Sequence, residues 1–302
     1  IMKHISAFFV LLSLSIGANA LEFNLPKHGD IVGQLQFATV RKGDTFASIA
    51  RKYDVGYYEL VETNPDIKPD APKVGTVLVI PSEYILPQVK REGIVINKAE
   101  LRMYYYPGNG KVYTYPVGIG REGWETPLGH LTIMQKIKDP VWIVPESIRQ
   151  VRLKDGVELP KVVQPGPNNP LGNYAMRLSN PTYLIHSTND PSAVGRRVTS
   201  GCVRMFPEDI KQLFAMVRVN ESVNIIDQPY KAGWKNGVMY MEAHVPLQEQ
   251  TAARGGSMSL VMASIANATH GHHVVMNWLD VARIATAQDG VPLQVGTTFE
   301  IG

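Results

Sequence analysis

The twenty residues HSTNDPSAVGRRVTSGCVRM, His186 to Met205, decide how the chain is read, because they hold its one cysteine, Cys202. Asn189, Asp190, Pro191 and Gly195 mark an exposed turn. Arg196 and Arg197 supply cations, and Gly201 lets the backbone beside the thiol approach another molecule closely. A thiol attacks as thiolate, so a catalytic cysteine needs a base or cationic surroundings to bring its pKa down from about 8.5. His186, at the end of the strand-like TYLIHST, is the nearest histidine in sequence. Backbone N–H groups from Gly201 to Val203 are suited to hold the oxyanion of a tetrahedral intermediate.

The compartment sharpens the question. Lys3-His4 precedes an apolar run from Ile5 to Ile16, and Ala18-Asn19-Ala20 then gives the small-residue pattern of a cleavage site. Residues 1–20 are expected to be a signal peptide, with the mature chain beginning at Leu21. The run falls short of the about 20 apolar residues that span hydrocarbon, and Ser13, Ser15 and Gly17 dilute it. No later segment is apolar enough to span, so a soluble, membrane-free mature form is expected. An exported chain with one cysteine forms no internal disulfide. The thiol is therefore a buried small hydrophobe, an intermolecular linker or a nucleophile.

The formal charge, +3, falls to +2 once Lys3 is removed, too small an excess to call for nucleic acid. With 44% hydrophobic and 19% charged residues, the chain accommodates one large core and a small domain. Twenty-one prolines and 26 glycines among many Val, Ile and Tyr favour short strands and turns.

Residues 36–81 read as a compact β-α-α-β unit. Thr39-Val40 is strand-like, Asp44 or Thr45 is placed to cap a helix carrying Phe46, Ile49, Ala50 and Tyr53, a second helix falls near Tyr57 to Glu62, and Val77 to Ile80 is a strand. The series Gly43, Asp44, Thr45, Ile49, Ala50, Tyr53, Leu60, Asn64, Gly75, Leu78, Ile80, Pro81 resembles the LysM module. The resemblance implies binding of N-acetylglucosamine-containing glycan strands, with Gly43, Asp44, Thr45, Asn64 and Pro65 as the candidate contacts.

From Gly93 the texture is strands: GIVIN, LRMYYYP, KVYTYPVGIG, HLTIMQKI, TYLIHST and SVNIID, with turns such as Pro107-Gly108-Asn109-Gly110 between them. Pro207 suits a first helical position, followed by Glu208 and Asp209 at the positive end of the helix dipole, and Ile210, Leu213, Phe214 and Val217 form an apolar face. Residues 228–302 form an extension, with a helical stretch over VVMNWLDVARIATA. GIGREG, Gly118 to Gly123, fits G-x-G-x-x-G, but Trp124 to Gly129 opens no helix after it, so tight turns explain the glycines better than a dinucleotide. His270, His272 and His273 lack the further ligands of a zinc site, and no metal is expected.

The stretch from His186 to Met205 resembles the signature of the L,D-transpeptidases of bacterial cell walls, the YkuD-fold cysteine enzymes: a histidine, a loop of about fifteen residues, then Ser/Thr-His-Gly-Cys-x-Arg. The resemblance extends over residues 93–227, including VGIGREGWETPLG and VVQPGPNNPLGNYAM. It implies a mainly β catalytic domain, a sandwich with few helices, acting on the tetrapeptide stems of peptidoglycan in the periplasm. Cys202 falls on the family's nucleophile, His186 on its base, Ser187 on the residue that orients the histidine, Gly201 on the residue before the nucleophile, and Arg204 on the supporting arginine. Ser200 stands where the family has a second histidine. Arg196, Arg197, Ser200, Trp142 and Tyr174 are candidate substrate contacts, Trp142 lying in a proline-flanked segment that matches the region covering the family's site. The implied chemistry needs no cofactor. The acceptor is left open among a neighbouring stem's amine, a wall lipoprotein's lysine and water, and a non-catalytic wall-binding protein is the alternative from another class.

Overall fold

The computed structural model describes residues 21–249 and 256–299; the expected signal peptide, residues 1–20, lies outside the described residues. Nine strands hydrogen-bond in the order Leu21–Asn24, Lys111–Pro116, Arg102–Tyr106, Gly93–Asn97, Ser222–Ile226, Gly129–Lys138, Tyr174–Leu178, Leu184–His186, Val203–Arg204. The long strand Gly129–Lys138 makes the corner. Its residues 129–132 pair with 222–225, its later residues with 174–178, and the register slips between Ile133 and Gln135. Such an irregularity bends and twists a strand. Met103, Tyr105 and Tyr115 from one part of the sheet thereby share a buried core with Met176, Ile185 and Val203 from the other. Helix Pro207–Met216 packs into this core through Ile210 and Leu213, with Pro207, Glu208 and Asp209 in its first turn as the sequence predicts.

The β-α-α-β unit forms as read. Strand Gln36–Thr39 pairs antiparallel with Val77–Ile80 and holds helices Phe46–Tyr53 and Tyr57–Thr63. Thr45, rather than Asp44, is the N-cap, and Ser48 returns the bond to its backbone, satisfying two helix-end donors. Phe46, Ile49, Leu60, Leu78 and Ile80 fill the core, each contributing about 1.5–3 kcal/mol by burial.

This unit is no bead on a linker. Arg102, fully buried in the large sheet, meets both carboxylate oxygens of Glu59 at 2.7 and 2.8 Å. Arg51 bridges to Glu208 at 2.8 Å, and the Tyr58 N–H donates to the Gly195 carbonyl at 3.2 Å.

Residues 230–299 add a third body. Strands Tyr230–Lys235, Val238–Ala243, Leu293–Thr298 and Val274–Met276 form a sheet covered by helices Ser257–Thr269 and Trp278–Ala287. The expected helix over VVMNWLDVARIATA is corrected at its start. Val274–Met276 pairs as a strand with residues 296–298, and the helix begins only after Asn277, whose Oδ1 accepts from the N–H groups of Leu279 and Asp280. The buried Lys231 ammonium ties this body to the large sheet, 2.9 Å from both Glu100 and Glu242. Among the described residues, no helix is long and apolar enough to cross a membrane.

Candidate active site

Cys202 immediately precedes the strand Val203–Arg204, which runs parallel to Leu184–His186 with His186 opposite Arg204. Sheet pairing thus brings the thiol beside the histidine strand across the fifteen residues between them. The Met205 N–H donates to the His186 carbonyl at 3.0 Å and fixes the register.

His186 is buried, and its Nδ1 lies 2.6 Å from the Ser187 carbonyl oxygen. A carbonyl only accepts, so Nδ1 carries the proton and the Nε2 lone pair remains for a base. Burial first, and then the Arg204 charge, lower the His186 pKa to about 3. Burial pushes the Cys202 thiol above its ordinary value, although a Leu184 backbone hydrogen bond and the Arg204 charge pull it down. The resting pair is therefore neutral imidazole and neutral thiol.

Two threonine hydroxyls shape the cysteine loop. Thr199 Oγ1 donates to the Cys202 carbonyl at 2.7 Å and accepts from the Gly201 N–H at 3.2 Å. Thr126 Oγ1 donates to the Gly201 carbonyl at 2.8 Å and accepts from the Gly120 N–H at 3.0 Å. Gly201 has φ +105°, and a Cβ there would stand 2.7 Å from Tyr183 Cε1. Gly120 lies so close to Trp124 that an added Cβ would be 2.0 Å from the Trp124 carbonyl oxygen. Gly120 thus lets this turn close on Gly201 of the cysteine loop, and Ile119–Gly120 pairs with Arg197–Thr199.

The three arginines part company. Arg196 and Arg204, each with a buried Nε that makes no hydrogen bond, line a cavity of about 320 Å³ with Asp190, Ser192, Ala193 and Val198. The Arg196 guanidinium lies 3.4 Å from the ring centroid of Tyr57, so the LysM unit supports this wall. Arg197 is engaged elsewhere, bridging to Glu249 at 2.8 Å. Ser200 sits half-buried between Thr199 and Gly201.

Ser187 is buried, and its N–H donates to the Tyr174 carbonyl at 2.9 Å. The Tyr174 ring packs on Phe214 with centroids 4.9 Å apart, which makes it a support for the histidine strand rather than an open substrate contact. Trp142 is half-buried on a two-residue strand paired with Val162–Val163, in a flap whose helix Glu146–Lys154 buries no residue.

In the LysM unit, Gly43 has φ +88° with open space where a Cβ would be, and Asp44 Oδ2 accepts the Arg41 N–H at 2.8 Å. Pro65 is exposed. Asn64 departs from the glycan-contact expectation: its Nδ2 donates to the carbonyls of Leu60 and Val79, and its Oδ1 accepts the Val79 N–H, all at 2.9 Å. The amide pins a helix end to a strand and has no N–H left for a sugar. A groove of about 660 Å³ runs between Thr45, Ser48 and Lys52 on one side and Asp190, Ser192 and Phe206 on the other.

His272 and His273 pack on Trp234 and Phe299, with centroids 4.8 and 5.8 Å apart. Glu100, Glu242 and His244 bring ligand-type atoms within 4.8 Å of one another. The Lys231 ammonium already bridges the two glutamates, so a lysine supplies the charge a cation would.

The residues that sequence reasoning missed are Thr126, Thr199, Gly120 and Gly172. Gly172 has φ +61°, and a Cβ there would be 2.6 Å from the Ser187 side chain. The signal available for Gly120 was its place in a glycine-rich turn that opens no helix.

Residues 91–225 match the YkuD family, described as the L,D-transpeptidase catalytic domain, and residues 38–81 match the LysM domain. The chain is 42% identical to the probable L,D-transpeptidase YcfS of Escherichia coli strain K12 over 251 residues, covering 80% of this chain and 78% of that protein. It is 39% identical to the probable L,D-transpeptidase ErfK/SrfK of Salmonella typhimurium over 259 residues (83% and 84%). Against ErfK/SrfK of Escherichia coli K12 the identity is 36% over 298 residues, 96% and 95% of the two chains.

Proposed function

We propose, from the premise that this chain belongs to the YkuD family of L,D-transpeptidases and carries a LysM domain, that Cys202 is the nucleophile and His186 the base of a periplasmic peptidoglycan transpeptidase. The observation that supports this most is the parallel pairing that sets Cys202 beside the histidine strand, with His186 Nδ1 tied to the Ser187 carbonyl and Nε2 left as the proton acceptor.

In this reading the thiol proton passes to His186 Nε2 as Cys202 Sγ attacks the carbonyl of meso-diaminopimelate, the third residue of a tetrapeptide stem. The resting pair is neutral, so proton transfer accompanies attack rather than preceding it. The Gly201 N–H is held by Thr199, which leaves the Cys202 N–H for the oxyanion. D-Alanine departs with the proton from His186, and an acceptor amine then resolves the thioester and restores the thiol. Arg196 and Arg204, whose Nε groups lack partners, receive stem carboxylates in the cavity they line. Arg197, bound to Glu249, takes no part. The groove between Thr45 and Ser192 carries the glycan strand from the LysM domain toward the cysteine, raising the effective concentration of stems.

The test is mass spectrometry of a disaccharide-tetrapeptide incubated with residues 21–302, beside Cys202→Ala and His186→Ala. Crosslinked dimers lacking one D-alanine, absent with both variants, support transpeptidation by these residues. Loss of D-alanine without a crosslink assigns the acceptor to water. An acyl-enzyme resolved only by an added lysine-ended peptide assigns it to a wall lipoprotein. No acyl-enzyme on Cys202 under any of these conditions overturns the reading.

A further inference from the structure

Strand Leu21–Asn24 begins at the residue that Ala18-Asn19-Ala20 marks as the first of the mature chain, and the Leu21 N–H donates to Asp54 Oδ2 at 3.1 Å. Asp54 is buried at the left-handed end of helix Phe46–Tyr53 in the LysM domain. Its carboxyl interacts with that of Asp209, equally buried in the first turn of helix Pro207–Met216. Asp209 Oδ2 has no hydrogen-bond partner.

The side-chain cations near this pair are engaged. Arg102 gives two bonds to Glu59 and reaches Asp54 only at its backbone carbonyl, at 3.2 Å. Arg51 is bonded to Glu208. The hydroxyl of Tyr115, packed nearby, donates to Gln212. Burial pushes the Asp54 carboxyl up to about 6 and Asp209 well above its usual range, against the opposing charge of Arg102. Two buried carboxyls thus stand together with one backbone N–H bonded to Asp54 and no side-chain cation of their own, and the joint is one positive charge short.

We propose that this carboxyl pair is a built receptor for the α-ammonium of Leu21, which becomes available only when the Ala20–Leu21 bond is cut. The inference rests on the reading of residues 1–20 as a cleaved signal. Hydrolysis by a signal peptidase adds one water across that bond, leaving a carboxylate on Ala20 and an ammonium on Leu21. In the precursor the same nitrogen is an uncharged amide with a single donor. In the mature chain it is a cation with three, like a lysine ammonium. The ammonium sits where three bodies meet: the edge of the large sheet, the LysM domain through Asp54, and the helix after the nucleophile through Asp209. Export is thereby coupled to locking the LysM domain against the catalytic sheet.

The experiment compares a chain released from a cleavable fusion so that it starts at Leu21 with one starting at Ala20, each with and without Asp54→Asn. An amine-acylating reagent is applied at pH 7 and the N-terminal peptide followed by mass spectrometry. Each unit by which the carboxyls raise the Leu21 amine pKa leaves tenfold less free amine. Acylation of Leu21 at least about tenfold slower than that of Ala20 in the longer chain is expected, with the difference lost in Asp54→Asn. Equal rates in the two parent chains overturn the receptor. The intact mass of the exported protein tests the cleavage reading separately. A mature chain starting anywhere but Leu21 overturns the coupling to export, whatever the labelling shows.

Discussion

Replacing Glu59 with glutamine tests whether the LysM domain is part of the enzyme's core. Arg102 is wholly buried on strand Arg102–Tyr106, and its guanidinium is bound on every side. Nε and Nη2 reach the Glu59 oxygens at 2.7 and 2.8 Å, Nη1 donates to Thr114 Oγ1 at 3.0 Å, and the group lies 4.3 Å from the Tyr84 ring centroid. The Glu59→Gln change would remove the negative charge and aim an NH2 at a donor, leaving a buried cation uncompensated. Breaking a buried pair in this way costs about 3–5 kcal/mol, a large share of a typical stability of about 5–15 kcal/mol. Urea unfolding followed by the fluorescence of the four tryptophans reads the change. Replacing both partners together, Glu59→Leu with Arg102→Met, removes the unpaired charge and should restore most of the loss. Excising residues 36–81 deletes Glu59 and withdraws Tyr57 and Tyr58 from the cysteine loop, so activity should fall on small muropeptides as well as on whole wall. A Glu59→Gln loss under about 1 kcal/mol, the level of an exposed pair, would refute the reasoning.

Three further outcomes follow from the site. Burial holds the resting thiol protonated, so alkylation of Cys202 by iodoacetamide should be slow at pH 7 and climb above about pH 8.5; a rate already at plateau near pH 6 would contradict the neutral pair. His186 titrates near 3 when folded and near 6.5 when unfolded, so between those values the unfolded chain binds the extra proton and stability falls as pH is lowered from about 6.5 to about 3. Urea midpoints across that range should drop less for His186→Gln than for the parent. Gly201→Ala places a methyl 2.7 Å from Tyr183 at a φ of +105°, and displacing the cysteine backbone should slow acylation about 100-fold while leaving the far-ultraviolet circular dichroism spectrum unchanged.

The parts legible in the sequence are those whose causes are local. Thr45 caps the helix that carries Phe46, Ile49 and Ala50, and Pro207 opens a helix whose apolar face is set by spacing alone. The approach of Cys202 to the histidine strand was legible because the proposed chemistry demands particular residue types close together. What escaped was long-range charge pairing. Glu59 and Arg102 lie 43 positions apart, and an arginine opening a strand reads as solvated until burial shows otherwise. Arg197 was drawn into the site by its neighbours in sequence and out of it by Glu249, 52 residues on. The corner at Ile133 and the capping of Trp278 by Asn277 depended on the strands that pair there.

These missed pairs share a placement with chemical meaning. Arg102 with Glu59 and Lys231 with Glu100 and Glu242 fasten the outer bodies to the large sheet, whereas the backbone at Gly201 and Cys202 is held by threonine hydroxyls and glycine clearances. Besides burial and backbone hydrogen bonds, the one charge that shifts both His186 and Cys202 is Arg204, and it lowers both. A lowered histidine stays neutral and able to accept a proton, and a lowered thiol gives up its proton more readily. A carboxylate in that position would act in the opposite sense on both, protonating the base and holding the thiol closed. Keeping the joints' carboxylates away from His186 is therefore a condition of the proposed chemistry as well as of the fold.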